Sequence, residues 1–318
     1  MRRWPVWIAI ALLAGTASAA APGEAPVQDW SNVETVVITV GEGGPALWRV
    51  ANGNSEVWIL PTVSPVPKDL KWDTHSVAVL LKGANALLLP PKAEVGMFEG
   101  LWFAMTDMDT IEQPDGTTLE QTLPGPLKGR FVAARTRIGQ DADRYDKFLG
   151  GVAAVRLESD YWSFADLTLD GPQRTIERLA TNAAVRARPV ATYPAMDVVH
   201  DVPKMTPAAH LACLDFALQD IATESAHAAP AAEAWSVGDL DGVKAHYSEI
   251  RLDDCWAQNS AYAGLRERAF RDMTNAIVAA LQKPGKTVAV MPMGMFLRKG
   301  GVLERLQAAG LTVSGPGG

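Results

Sequence analysis

The chain has 318 residues, 48% of them hydrophobic and 20% charged, which is length enough for one large or two medium domains with a sizeable core. That balance excludes wholesale disorder, a collagen-like rod and a polytopic membrane protein. With 29 basic against 36 acidic residues the formal net charge is −7, so no global positive field attracts phosphate and nucleic-acid binding is disfavoured.

Met1-Arg2-Arg3 is basic, Val6 to Ala14 is a short apolar run, and Ala17-Ser18-Ala19 has the small-x-small pattern of a cleavage site. Residues 1–19 therefore read as a secretory signal peptide. The run is shorter than the roughly 20 apolar residues of a membrane span, and no later stretch reaches that length. The mature protein is expected to be exported, to the periplasm, and to carry no transmembrane helix. Residues 20–32, rich in Ala, Pro, Gly and polar side chains, read as a flexible leader, and 33–318 as a single α/β domain. Export also bears on Cys213 and Cys255. An even count in an oxidising compartment reads as one disulfide, with two buried free thiols as the alternative.

In chain order, Val33 to Val40 is β-branched and strand-like, ending at Gly41 to Pro45. Ala46 to Val50 and Glu56 to Leu60 are two further strand-like runs joined across Asn52-Gly53, which predicts a tight hairpin. Asp73 or Thr74 caps a helix over Ser76 to Lys82, Gly83 ends it, and Ala86 to Leu89 is a short buried strand stopped by Pro90-Pro91. A mostly helical middle, about 140–260, follows, with helices predicted over Gln140 to Val155, Pro172 to Ala187, Thr206 to Glu224 and Leu240 to Tyr247. In Ala261 to Leu281, Leu265, Ala269, Met273, Ile277 and Leu281 share one helical face. Thr287 to Met291 reads as a buried strand, Gly301 to Ala309 as a helix and Leu311 to Val313 as a last strand. Short connections imply parallel pairing with right-handed crossovers. The predicted architecture is α/β: a central, mostly parallel sheet with an N-terminal β-hairpin and a large helical insert.

Ala46-Leu47-Trp48-Arg49-Val50, followed by Val57-Trp58-Ile59-Leu60-Pro61-Thr62-Val63-Ser64, resembles the opening of the TraB/GumN family, where the second strand runs into Gly-Thr-x-His. Thr287 to Val313 is similar to the closing unit of that family, in which a strand runs into Gly-x-Gly-His ahead of a helix and a final strand. The resemblance implies an α/β fold shared with TIKI-type metalloproteases and related to erythromycin-esterase-like and ChaN-like proteins. It also implies, for active members, a divalent metal held at two Gly-x-x-His strand ends with a glutamate after another strand. Neutral imidazoles are good ligands, and a carboxylate can ligate or activate bound water.

This chain is a divergent member by that measure, with degenerate motifs. The first reads Pro61-Thr62-Val63-Ser64, the second Pro292-Met293-Gly294-Met295, and the glutamate position falls at Pro90. A serine hydroxyl ligates divalent ions poorly, a thioether suits soft Cu(I), and a proline side chain ligates nothing. Arg268 matches a family arginine that faces the pocket, although Ala269 stands where asparagine usually follows.

Other chemistry has weaker support. Ser64 lacks a Gly-x-Ser-x-Gly elbow and no spacing rule assigns it a partner among His75, His200, His210, His227 and His246. His200-Asp201 and Asp253-Asp254 lack metal-ligand spacing and read as caps or turns. Met97, Met291, Met293 and Met295 suggest copper less than adaptable core filling. Of the tryptophans after the signal, namely Trp30, Trp48, Trp58, Trp72, Trp102, Trp162, Trp235 and Trp256, an exposed subset would make an apolar docking surface. The expected function is therefore a non-catalytic binding or interaction module. It would use a vestigial cleft of Pro61, Thr62, Ser64, Pro90, Arg268, Pro292, Gly294 and Met295, with no metal or cofactor. Its partner would be a small ligand, a peptide or an envelope protein. The alternative is a divergent hydrolase or peptidase with a rearranged active site.

Overall fold

The computed structural model describes residues 43–315. The predicted signal peptide, the leader, the strand over Val33 to Val40 and Trp30 lie outside them. A six-stranded sheet organises the rest, in the order Val313–Ser314, Trp48–Asn52, Ser55–Thr62, Gly285–Pro292, Leu87–Leu89, Ala187–Pro189. The two central strands, Ser55–Thr62 and Gly285–Pro292, pair in parallel over eight positions from Ser55↔Gly285 to Thr62↔Pro292. Both are nearly continuous runs of buried residues, as a strand covered on both faces must be.

The hairpin forms as predicted, with Asn52 opposite Ser55. Gly53 and Asn54 are the two central residues, and of these only Gly53 has positive φ. That is the pattern of a type II′ connection rather than the Asn-Gly type I′ turn suggested by the sequence. The helix His75–Leu81 starts at Thr74, but its side-chain cap comes from Asp73, whose Oδ1 accepts from the His75 N–H at 2.8 Å.

The closing strand corrects one expectation. Val313–Ser314 points the same way as Gly285–Pro292, as a crossover requires, yet it does not pair with it. It pairs antiparallel with Trp48–Asn52 at the sheet edge, Arg49 opposite Ser314, and the hairpin occupies the two positions between. Five of the six strands thus run in one direction.

Helices begin earlier than the predicted middle, with Met97–Thr106 and Gly125–Arg137. The helix expected over Gln140 to Val155 is displaced to Gly150–Phe164. The helix expected to stop at Glu224 instead runs from Pro207 to Ser236. Pro230 lies inside it, a substitution for a hydrogen-bonded residue that ordinarily costs about 3 kcal/mol. Burial of Ala228, Ala231, Ala232 and Trp235 on either side opposes that cost and carries the helix through.

This helix joins two hydrophobic cores. Cys213, Leu214, Ala217, Leu218 and Ile221 pack with Phe131, Leu157 and Tyr161 in a helical core. Ala231, Ala232 and Trp235 pack with the sheet through Ile59, Leu60 and Val290. Among the described residues no helix is long and apolar enough to cross a membrane.

Cys213 and Cys255 are bonded within the helical core, 42 positions apart, with their Cα atoms at 5.1 Å. Closing that loop should stabilise the fold by about 3–4 kcal/mol. Reduced protein, or Cys213→Ala with Cys255→Ala, should show that loss in urea unfolding, and alkylation of non-reduced protein should label neither thiol.

The same core buries acid. Glu158 and Asp220 are almost fully buried together, and desolvation raises both carboxyls above their ordinary range. Burial pushes Glu224 up to about 8 from 4.5, although Trp162 donates to its Oε2 at 2.8 Å. A carboxyl with a raised folded value binds its proton more tightly in the folded state. The contribution of Glu224 to stability is therefore full below about pH 4.5 and is lost as pH climbs toward 8. We expect unfolding free energy to fall by at least about 1 kcal/mol between pH 5 and pH 8. Glu224→Gln should reduce that slope, Glu158 and Asp220 supplying the remainder.

Candidate functional site

The central pairing sets the geometry of the site. Pro61 lies opposite Met291, and Leu88 opposite Ala289, so Pro90 follows at the same level two residues on. Pro61 and Pro90 thus stand on either side of Met291, with Pro292 the next residue, at the carboxyl edge of three adjacent parallel strands, where open α/β sheets form ligand crevices. On the hairpin side, pairing ends with Ile59 opposite Trp48, so Pro61 removes no donor from that ladder. Its carbonyl is satisfied instead by the buried indole of Trp235, which donates at 2.8 Å. Thr62 Oγ1 is turned into the sheet, 3.4 Å from the Met291 carbonyl oxygen.

Beyond these strand ends lies a cavity of about 610 Å³. Ser64, Pro292, Gly294 and Met295 line it. Pro61 and Thr62 are buried beneath it and do not. Pro91, rather than Pro90, reaches the wall. Arg268 is exposed outside the lining and lies over the ring of Tyr193 at 5.0 Å. Tyr193 is itself a wall residue and donates to Asp272 Oδ2 at 2.7 Å. On the same helix, Ser260–Ala280, the residues that face the cavity are Tyr262, Leu265, Arg266, Ala269 and Phe270.

The walls are mainly apolar, with Val198, Val199, Leu265 and Phe270 among them. Many of the polar groups come from a segment in which the sequence reading found only Asp253-Asp254 and assigned it to a cap or turn. Tyr247, Glu249 and Asp253 enter from the connection after the helix Leu240–His246, facing Tyr262, Arg266 and Arg298. Arg298 Nη2 pairs with Glu249 Oε2 at 3.0 Å, and the Tyr262 hydroxyl donates to Asp253 Oδ1 at 2.6 Å. Arg266 Nη1 sits 3.6 Å from Asp254 Oδ1 without a hydrogen bond.

Desolvation raises the Glu249 carboxyl, with Arg298 opposing. It also raises Asp253, which opens onto the cavity but is ringed by protein and opposed by Tyr262 and Arg266. Burial raises the Tyr247 phenol. The only sequence signal for this cluster was Asp253-Asp254, which reads as a cap because nothing local shows that the segment returns to the sheet edge.

Gly294 fixes how closely that segment approaches. A Cβ there would meet Glu249 Oε1 at 2.6 Å, so the carboxylate occupies the space a side chain would need.

The donor set does not fit a hydrolytic divalent metal. Ser64, Pro90 and Met295 stand where imidazoles and a carboxylate would be required. Among the described residues no group of three or more His, Cys, Asp or Glu side chains could hold a metal ion. No histidine lines the cavity, which leaves Ser64 without an imidazole base. His210 is buried and its Nδ1 accepts from the Gly151 N–H at 3.1 Å, while His227 and His246 contact each other. Met291, Met293 and Met295 share no face, because the strand ends at Pro292 and a helix begins at Met293.

Gly294→Ala should displace Glu249 and break its pair with Arg298, costing about 1–3 kcal/mol as other overpacked sites do. Thermal unfolding would record the loss. Adding Glu249→Ala to Gly294→Ala should recover part of it, since the smaller side chain vacates the space.

Comparison with protein families matches residues 46–315 to the TraB/PrgY/gumN family. No curated protein and no solved structure matches the chain. The matched span opens just before the hairpin and closes just after the last strand, so it includes every strand end that meets at the cavity. Because it covers most of the 318 residues, the chain belongs to the TraB/PrgY/gumN family.

Proposed function

We propose that this protein is exported to the periplasm and acts as a non-catalytic binding module, its cleft having lost the metallohydrolase site. One observation carries the reading. The strand-end positions converge on one cavity, yet they present Ser64, Pro91 and Met295 rather than metal-ligating donors. The ligand it fits is a small molecule or short peptide segment. Its apolar part would lie against Val198, Val199, Leu265 and Phe270, and its polar group would meet Glu249, Asp253, Arg266 and Arg298. The Cys213–Cys255 bond, of a kind that persists in oxidising compartments, supports export, as does the signal-like sequence of residues 1–19.

A second reading, a hydrolase or peptidase with a rearranged active site, is favoured by the raised carboxyls of Glu249 and Asp253 in the same cleft, since such groups suit general acid–base work.

Metal analysis of the purified protein, then assays on peptide and ester pools with chelator or with added Mn(II), Co(II) or Zn(II), separate the two. We expect no stoichiometric metal and no turnover. Ser64→His with Met295→His should gain at most weak metal uptake, because Pro90 supplies no carboxylate. Metal-dependent cleavage by the unmodified protein, abolished by chelator, would overturn the binding reading. Metal-independent cleavage lost in Glu249→Gln or Asp253→Asn would establish the second.

A further inference from the structure

The helix Met97–Thr106 buries only Phe103 among its own residues, against the ring of His200. Met97, Phe98, Leu101, Trp102 and Met105 are between 58 and 85% exposed, and Val95 ahead of them is 45% exposed. Their spacing of i, i+1, i+4, i+5 and i+8 gathers them into one stripe. A groove of about 550 Å³ runs beside it, lined by Phe98, Trp102 and Met105 together with Met196 and His200. A contiguous apolar stripe of this size marks an interaction surface rather than the ordinary scatter of exposed apolar residues.

We infer that this face joins two copies of the chain about a two-fold axis through the middle of the helix. Two features select a second copy as the occupant. The first is area. With roughly 150–250 Å² per aromatic side chain and somewhat less for the others, the stripe and groove offer on the order of 800 Å² per copy, which is what a standard stable interface takes from each partner. The second is self-complementarity, which a two-fold contact demands. Met97, Leu101 and Met105 recur at intervals of four, so reversing the helix about Leu101 maps the row onto itself and sets each outer methionine against its counterpart. Methionine, unbranched and adaptable, packs well against itself and against Phe98 and Trp102.

The surroundings argue against a bilayer as the occupant. Glu99, Asp107 and Asp197 line the groove beside the apolar row, and anionic headgroups would be repelled. In a dimer these carboxylates bring like charges of the two copies together, and salt screens that repulsion, so association should not weaken as ionic strength rises.

The cysteine inventory makes the test direct, because the chain has two cysteines and both are bonded to each other. Leu101→Cys therefore carries one unpaired thiol, at the inferred axis. Light scattering of the full-length and signal-processed protein at about 1–50 µM should give twice the monomer mass. Trp102→Glu and Phe98→Glu, both on exposed positions, should weaken association at least tenfold with unchanged circular dichroism. Leu101→Cys should oxidise to a covalent dimer, whereas Ala309→Cys, exposed just past the end of the helix Val302–Ala308, should not. A monomer throughout that range would overturn the inference, as would a dimer that persists in both charged variants. A monomer that floats with phosphatidylcholine vesicles would overturn it in favour of a lipid surface.

Discussion

Two segments more than 200 positions apart must lie side by side before anything else in this molecule can form. The parallel pairing of Ser55–Thr62 with Gly285–Pro292 closes the chain on itself and buries both strands on both faces. It also brings the residues after each strand to one edge of the sheet. Such long-range pairing forms only after the entropy of a long loop is overcome, so it is supported by large apolar burial on both sides. Trp235 acts at the same place, packing into the sheet core while its indole satisfies the Pro61 carbonyl that no neighbouring strand caps.

The helix carrying Trp235 extends this dependence to the rest of the fold. Its first half builds the helical core, where the Cys213–Cys255 bond and the buried carboxyls of Glu158 and Asp220 lie, and its last turns seal the sheet. Its length has consequences for the site. The chain leaves this helix near the sheet and returns through Leu240–His246, delivering Tyr247, Glu249 and Asp253 to the cavity beside Gly294. The cleft's polar groups are thus held by the helical part of the molecule, and its floor by the strand ends.

The site combines groups from both parts of the molecule. The floor is made of proline, serine and methionine, and Pro61 and Pro292 fall at or next to the ends of their strands, so the ladder survives. Charge then enters from elsewhere, as carboxylates and guanidinium groups balanced against one another in Arg298–Glu249 and Arg266–Asp254. A mainly apolar cavity with mutually compensating polar groups suits holding a ligand in place.

The sequence alone determined the hairpin, the short buried strand before Pro90, the late amphipathic helix and the strand leading to Pro292. Each has a local cause, whether a turn glycine, a run of apolar residues or a regular period. The family resemblance located the strand-end motifs, and the even cysteine count favoured one disulfide over two buried free thiols, a choice that the 5.1 Å approach of the Cα atoms decided. The tertiary structure decided what depends on distant partners. It set the closing strand beside Trp48–Asn52, where an open edge offered unpaired backbone groups. It carried a helix through Pro230, because burial outweighs a lost hydrogen bond there. It also assembled Glu249, Asp253, Tyr262, Arg266 and Arg298 around the cavity, a grouping with no sequence period because its members come from several elements. Trp102 shows the same limit from the surface side. Its composition suits a core, and only the absence of any packed neighbour over its helix face among the described residues leaves it in solvent.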